Sequence, residues 1–264
     1  MIAELTTGDQ ERKKGFSLLY LGINVGAGIG PLVTGIFFVE YIEYVLIGIV
    51  ISNIISTLII QFFVYETLNK IILKEKVFRK INKNKLFRFI TIYFDHPMLL
   101  FFILFSSLNF MLYFQHAYSM PIKINDVLGD YGPSFYGFLM VVNSICVIVL
   151  TPIVNKYFIS FSTTTLIIVG AISYAVGFCL LLNTTVHSLF IIATIIWTIG
   201  EILVFTNTNV YISQNCDPHY SGRFNGLFLL VGSVGNALGS MLTSKLLVLF
   251  NLNVLGYVLF ILGI

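Results

Sequence analysis

Apolar stretches of about 20 residues follow one another along almost the whole chain, separated by short polar segments. A hydrocarbon core of about 30 Å requires about 20 apolar residues per helix, so stretches of this length can cross a bilayer. Seven full membrane helices and a truncated eighth are predicted, at 15–38, 42–65, 97–120, 134–155, 162–183, 187–211, 223–249 and 252–264. The sequence lacks the alternating strands of membrane β-barrels, so the pattern predicts an all-α polytopic membrane protein.

The composition agrees with this class and narrows the function. Hydrophobic residues make up 57% of the 264 residues and charged residues only 10%, whereas soluble domains contain about 25% charged residues. The three cysteines have neither a paired framework nor metal-ligand spacing. No nucleotide loop, catalytic triad or haem motif is present in the sequence, so we expect no enzyme activity, no cofactor, no metal and no nucleic-acid partner.

Lysine and arginine are distributed unevenly between the segments that join the predicted helices. If the helices alternate across the membrane, 13 of the 15 fall on one side, and eight of them lie in 66–95. Because basic residues are retained in the cytoplasm, the N-terminus is predicted to be cytoplasmic, in a multi-pass protein of the plasma membrane. Segment 66–95 is predicted to be a basic linker that touches anionic lipid headgroups and separates residues 1–65 from residues 96–264.

A weak internal repeat relates the first predicted helix to the seventh. A shift of 209 residues aligns Gly26 with Gly235, Gly30 with Gly239, and several leucines of the two helices. The two helices are six apart, which predicts a parent protein with two six-helix halves. On this interpretation the first helix is the fifth of twelve, residues 1–65 are the remnant of the N-terminal half, residues 96–264 are the C-terminal half, and the chain ends within the twelfth helix.

Small and kink-forming residues are concentrated in the first predicted helix. Gly22, Gly26 and Gly30 recur every four residues, which predicts a face for close helix packing, and Pro31 removes a backbone donor. A helix-packing role is expected for Asn24, Gly26, Gly30, Pro31 and Gly35.

The stretch from Gly26 to Gly35 resembles the fifth-helix motif G-x-x-x-G-P-x-x-G-G of the drug/proton antiporters in the major facilitator superfamily. Thr34 departs from the motif, since it replaces the first of the paired glycines. The resemblance implies a kinked helix at the contact between two halves, alternating access, and a proton gradient as the coupling force. The loop around Arg223 is also similar to the cytoplasmic loop after the tenth helix of that family, although Gly222 precedes the arginine here.

An acidic residue lies near the centre of the sixth predicted helix. Charged side chains at this depth are costly to bury and therefore indicate a functional site, and a buried carboxyl group can carry a proton. Trp197, Thr198, Glu201, Phe205 and Thr208 share one helical face, and Ser106, Asn109, Tyr113 and His116 align on the third helix. We expect the substrate or proton pathway to include Glu201, Trp197, Thr208, Asn109, Tyr113 and Asn143, although such side chains also hold helices together in structural roles.

The resemblance favours a secondary transporter that expels small amphipathic solutes in exchange for protons. Tyr20, Asn24, Gly26 and Glu201 are also similar to motifs of proton-coupled oligopeptide symporters, which is the alternative within transport. A further hypothesis is a non-transporting gene remnant, because only two helices of one half are expected. The expected partners are the lipid bilayer, a small-molecule substrate and the missing helices as a separate chain.

Overall fold

The computed structural model describes residues 9–63, 92–158, 160–216 and 220–264, and in these ranges the chain is almost entirely α-helical, with no strand. Nine α-helices are described: α1 (Asp9–Phe37), α2 (Ile42–Phe63), α3 (Pro97–Tyr113), α4 (Ser119–Leu128), α5 (Gly132–Tyr157), α6 (Thr163–Asn183), α7 (His187–Asn215), α8 (Ser221–Leu249) and α9 (Leu252–Gly263). Each predicted hydrophobic run overlaps at least one of these helices, which confirms the all-α membrane class. The eight basic residues predicted to form the linker at 66–95 lie outside the described residues.

Five of the described stretches are long and apolar enough to cross a membrane. They are Ile42–Phe63, Pro97–Val154, Thr163–Asn183, His187–Asn215 and Gly222–Leu249, while Leu21–Phe37 and Leu252–Gly263 are shorter apolar helices. The second of these stretches contains α3, α4 and α5 in succession. Division of the chain into two halves remains a prediction.

The third predicted helix differs from its expected bounds. Instead of continuing to residue 120, α3 ends at Tyr113, a 3₁₀ turn covers Phe114–His116, and α4 begins at Ser119. Pro121 lies in the first turn of α4, where a missing backbone N–H has no cost because first-turn donors lack helical partners. The proline therefore favours a new helix at this point over continuation of α3.

The helices of the bundle pack around an aromatic core. α6 packs most extensively against α7, and α6 also contacts α9, whereas α5 lies between α1 and α7 and α3 packs against α8. The largest fully buried side chains include Trp197, Tyr174, Phe178 and Phe190. The position of Trp197 in this core makes α7 the central helix of the described bundle.

Glycines bring α6 and α7 unusually close together. A Cβ atom built on Gly200 would lie 2.7 Å from the carbonyl oxygen of Gly170, and one on Gly177 would lie 2.8 Å from the Trp197 backbone nitrogen. Real Cβ atoms do not approach other atoms so closely, so these positions accept only glycine without a shift of the helices. The contact fixes which side chains of α6 face the polar residues of α7.

α1 packs against α5 along a different face from the one that carries Gly26 and Gly30. A Cβ on Gly28 would lie 2.9 Å from the Ser144 hydroxyl oxygen, and one on Gly35 would meet the Pro133 carbonyl. Nothing described lies within 4 Å of a Cβ on Gly26 or Gly30. Among the described helices, the close contact of α1 thus uses the Gly28 and Gly35 face, to which Asn24 also belongs by its spacing of four from Gly28.

Among the described helices, α2 stands apart from the rest of the bundle. It contains no buried residue, and its few contacts with α1 lie near the turn that connects the two helices, where Tyr41 packs against Phe37 and Tyr44. Its apolar side chains, such as Ile47, Ile51 and Ile55, are exposed all round. A helix of this kind is stable only where lipid or other apolar chains surround it.

Candidate functional site

The carboxylate of Glu201, on α7, receives hydrogen bonds from two other helices. The Tyr113 hydroxyl of α3 donates to Oε1 at 3.1 Å, and the Asn143 amide of α5 donates to Oε2 at 2.8 Å. The same Asn143 nitrogen lies 2.9 Å from the Thr198 hydroxyl oxygen. One polar cluster therefore joins α3, α5 and α7 in the middle of an apolar bundle.

Regular helix spacing accounts for part of this arrangement. Thr198 and Glu201 are three residues apart on α7 and thus lie on the same face, where a single amide group on α5 can reach both. Thr198 also donates to the Thr194 carbonyl at 2.7 Å, so its hydroxyl is already oriented. Asn143 is only 7% exposed, which makes these hydrogen bonds a requirement for burying its amide group.

Tyr174 of α6 completes the cluster from a fourth helix. It is fully buried, and its ring centroid is 6.0 Å from that of Tyr113. A Cβ on Gly200, the residue before Glu201, would lie 3.1 Å from the Tyr174 ring, and the Tyr174 hydroxyl has no hydrogen-bond partner within the described chain. The cluster therefore contains a donor that no described acceptor uses.

Aromatic rings surround the polar atoms. The Tyr113 ring lies 4.4 Å from His116 and 5.1 Å from Phe205, and the His116 ring stacks on Trp197 with centroids 5.5 Å apart. Trp197 in turn stacks on Phe178 at 5.7 Å. Aromatic faces attract cations, so a carboxylate within such walls is suited to positively charged groups.

The predicted pathway residues are only partly brought together. Glu201, Asn143 and Tyr113 form the hydrogen-bonded cluster, and the fully buried Trp197 lies beside Tyr113 with ring centroids 6.4 Å apart. Asn109 instead lines a crevice of about 10 Å³, too small for a solute, which it shares with Tyr174 and Phe205.

Thr208 is also separate from the cluster. It is buried two helical turns beyond Glu201, or about 10 Å along α7, and no described hydrogen bond joins it to the cluster.

Arg223 lies at another end of the bundle, in the first turn of α8. Its guanidinium stacks over the Tyr220 ring at 5.4 Å, and its backbone carbonyl accepts a hydrogen bond from the Tyr93 hydroxyl at 3.4 Å. These contacts tie the segment before α3 to the start of α8. Arg223 is thus distant in the fold from the Glu201 cluster, as expected for a residue of a connecting loop.

Tyr174 is not among the residues that the sequence predicted for the pathway. A tyrosine in an apolar membrane helix has no distinguishing pattern, because aromatic residues are frequent in this chain. The available signal was the pair Gly170 and Gly177, which flank Tyr174 at a spacing of seven and mark the face that approaches α7.

A membrane bundle with one hydrogen-bonded carboxylate between its helices has the architecture of a secondary transporter. The sequence model of the protein family Major Facilitator Superfamily matches residues 1–240 of this chain. The chain therefore belongs to the major facilitator superfamily, whose members are transporters and not enzymes.

Individual relatives are distant. A Na(+), Li(+), K(+)/H(+) antiporter of Planococcus maritimus is 20% identical over 243 residues, which cover 85% of this chain and 57% of that protein. The chain thus spans a little over half the length of this curated relative.

Solved structures show the same fold. A POT family transporter in complex with a thioalcohol-conjugated peptide aligns with a TM-score of 0.64 and 14% identity, and a POT family transporter in complex with 5-aminolevulinic acid aligns with a TM-score of 0.59 and 13% identity. In both cases the alignment covers 98% of this chain and 69% of the other. At these identities the similarity establishes the fold alone.

Proposed function

We propose that this chain acts in proton-coupled efflux of small, cationic amphipathic solutes across the plasma membrane, with its N-terminus in the cytoplasm. The observation that carries the proposal is the Glu201 carboxylate, which Tyr113 and Asn143 hold between three helices. Exchange is also the activity in the name of the Planococcus maritimus relative, which is a cation/proton antiporter.

The chemistry of the cluster supports alternate binding of a proton and a cation. No ion pair to Glu201 occurs among the described residues, so its charge is balanced only by hydrogen-bond donors. A bound proton or a bound cationic group would each neutralise this charge, and the two would therefore compete for the same carboxylate. Competition of this kind is the physical basis of exchange, since release of one species favours binding of the other.

Apolar and aromatic walls favour an amphipathic cation over a small hydrated one. Tyr113 and Phe205 place aromatic rings near the carboxylate, whereas a hydrated alkali ion requires several oxygen ligands. Glu201 keeps part of its surface accessible, so a solute can approach it. Rocking of two helical halves would then expose the site to either side of the membrane in turn.

A second candidate is proton-coupled uptake of short peptides. Asn143 and Glu201 lie side by side. The Glu201 carboxylate matches the amino group of a peptide, and the Asn143 amide group matches its first carbonyl oxygen. One of the structures of similar fold contains a peptide conjugate.

Proteoliposomes that contain the 264-residue chain and an acidic lumen would test these proposals. We expect ethidium to drive proton release from the lumen, and Glu201→Gln to reduce the rate at least about tenfold, because the charge-assisted hydrogen bonds and the exchangeable proton are lost. Glu43→Gln is the matched control, since Glu43 is exposed in the first turn of α2.

The other outcomes separate the alternatives. Proton movement driven by dialanine but not by ethidium would support the peptide candidate, and a response to K⁺ or Na⁺ alone would replace the amphipathic solute by an alkali ion. Equal rates for Glu201→Gln and the unmodified chain would contradict the role of Glu201. Ethidium binding without any proton movement would favour a non-transporting product.

A further inference from the structure

A large cavity lies among α1, α4 and α5, apart from the Glu201 cluster. Its volume is about 630 Å³, within the range of about 300 to 1,000 Å³ that is typical of small-molecule sites. Tyr136 lines the cavity, and it precedes Asn143 on α5 by seven residues, or about 10 Å along the same helical face. The cavity is therefore two helical turns away from the residue that binds Glu201.

The wall of the cavity is apolar except for three uncharged polar side chains. Phe38 and Ile122 are among its apolar residues, and Thr34, Asn125 and Tyr136 are its polar side chains, while no acidic or basic residue lines it. Each of these three can donate a hydrogen bond. Within the described part of the chain, none of the three has a hydrogen-bond partner. Three donors from three helices thus converge on one apolar space.

Thr34 makes this wall particular to the present chain. It occupies the position where the antiporter motif has glycine, so its hydroxyl is an addition to the motif. The neighbouring Pro31 and Gly35 also line the cavity. A helix with two glycines at this point would leave the cavity wider and with one hydrogen-bond donor fewer, since only Asn125 and Tyr136 would remain.

We propose that the cavity binds an uncharged, apolar molecule with carbonyl or ether oxygens, which accept hydrogen bonds from Thr34, Asn125 and Tyr136. A charged ligand is disfavoured because no side chain of the wall could neutralise it. The bound molecule would touch α1 and α5 beside one of their close contacts, where a Cβ on Gly137 would lie 2.6 Å from the Pro31 carbonyl oxygen. It would therefore oppose movement of α1 along α5.

Decylubiquinone is a suitable probe, because it is uncharged, carries ring oxygens and quenches tryptophan fluorescence. The chain has a single tryptophan, so Trp197→Phe removes the intrinsic tryptophan fluorescence. Phe38→Trp then introduces one fluorescent reporter in the cavity wall. We expect saturable quenching with this reporter. Leu229→Trp is the matched control, because Leu229 is exposed on α8 and does not line the cavity. With this reporter we expect only the non-saturable quenching that results when decylubiquinone partitions into the membrane.

Conservative variants then test the hydrogen bonds. Tyr136→Phe and Thr34→Val should each weaken binding about fivefold, whereas Thr34→Ser, which retains a hydroxyl, should not. Glu201→Gln should leave binding unchanged, so the result is independent of the transport proposal. Quenching that is the same at both reporter positions, or that is insensitive to Tyr136→Phe and Thr34→Val, would overturn the site. Loss of binding in Glu201→Gln would show that the cavity is not a separate site.

Discussion

At the scale of single residues, Asn143 is the centre of the polar cluster. Its amide nitrogen donates to acceptors on both Glu201 and Thr198, and the Tyr113 hydroxyl also donates to Glu201. Removal of the amide would leave one carboxylate oxygen and one hydroxyl without this donor at a buried position. The residue is thus expected to matter for stability as well as for chemistry.

We expect Asn143→Ala to destabilise the bundle by about 1 kcal/mol, since hydrogen bonds between membrane helices contribute about 0.6 to 2 kcal/mol. Asn53→Ala is the matched control, because the exposed Asn53 amide bonds only to the Ile49 carbonyl of its own helix. Reversible unfolding in mixed micelles would measure both free energies. Equal values for the two variants would argue against a linking role of Asn143.

The polar residues that the sequence reveals are those that stand out from an apolar background. Glu201, Asn143 and Tyr113 were predicted to belong to the pathway, and the structure joins them by hydrogen bonds. Their functional role remains a prediction. Tyr174 could not be found in this way, because its proximity to Glu201 depends on how closely α6 and α7 approach, which is a property of two helices together.

At the scale of helices, the α6–α7 contact depends on small residues. A Cβ on Gly200 would crowd the Gly170 carbonyl and the Tyr174 backbone, so the two helices would have to separate. We expect Gly200→Ala to cost about 1 to 3 kcal/mol of unfolding free energy, the range for overpacked cores.

Gly48→Ala provides the control for this substitution. Nothing lies within 4 Å of a Cβ on Gly48, so a change of no more than about 1 kcal/mol is expected. Thermal unfolding of the two variants in the same detergent would compare them directly. Similar midpoints would show that the close contact of α6 and α7 contributes little.

Hydrophobic length predicted the helices well, but it did not predict their interruption or their contact faces. The run at 97–120 contains no Asp, Glu, Lys or Arg, so the charge pattern did not mark the end of α3 at Tyr113, although the polar residues Gln115 and His116 follow it. α1 carries glycines on two faces, and of the glycines predicted to pack, Gly35 lies at the described contact whereas Gly26 and Gly30 do not. Gly28, which also lies at this contact, was not predicted. The choice between such faces depends on the shape of the partner helix, which the sequence of one helix does not contain.

At the scale of the whole molecule, the distribution of basic residues predicts the orientation. Single cysteines in a variant without Cys146, Cys179 and Cys216 would test it, and Thr185 and Ser160 are exposed in turns at opposite ends of α6. A membrane-impermeant maleimide should label Thr185→Cys in intact cells and Ser160→Cys only after lysis, because the basic side is retained in the cytoplasm. The reverse pattern would place the N-terminus outside.

The isolation of α2 has a consequence for how the chain acquires its fold. A helix without buried side chains gives up little packing energy when it separates from the bundle, so it adds little to the cooperativity of unfolding. As far as the described residues show, α2 would therefore enter the bilayer as an independent unit during synthesis, and it would remain helical after α3 to α9 have lost their mutual contacts. In this part of the molecule, insertion and folding are separate events.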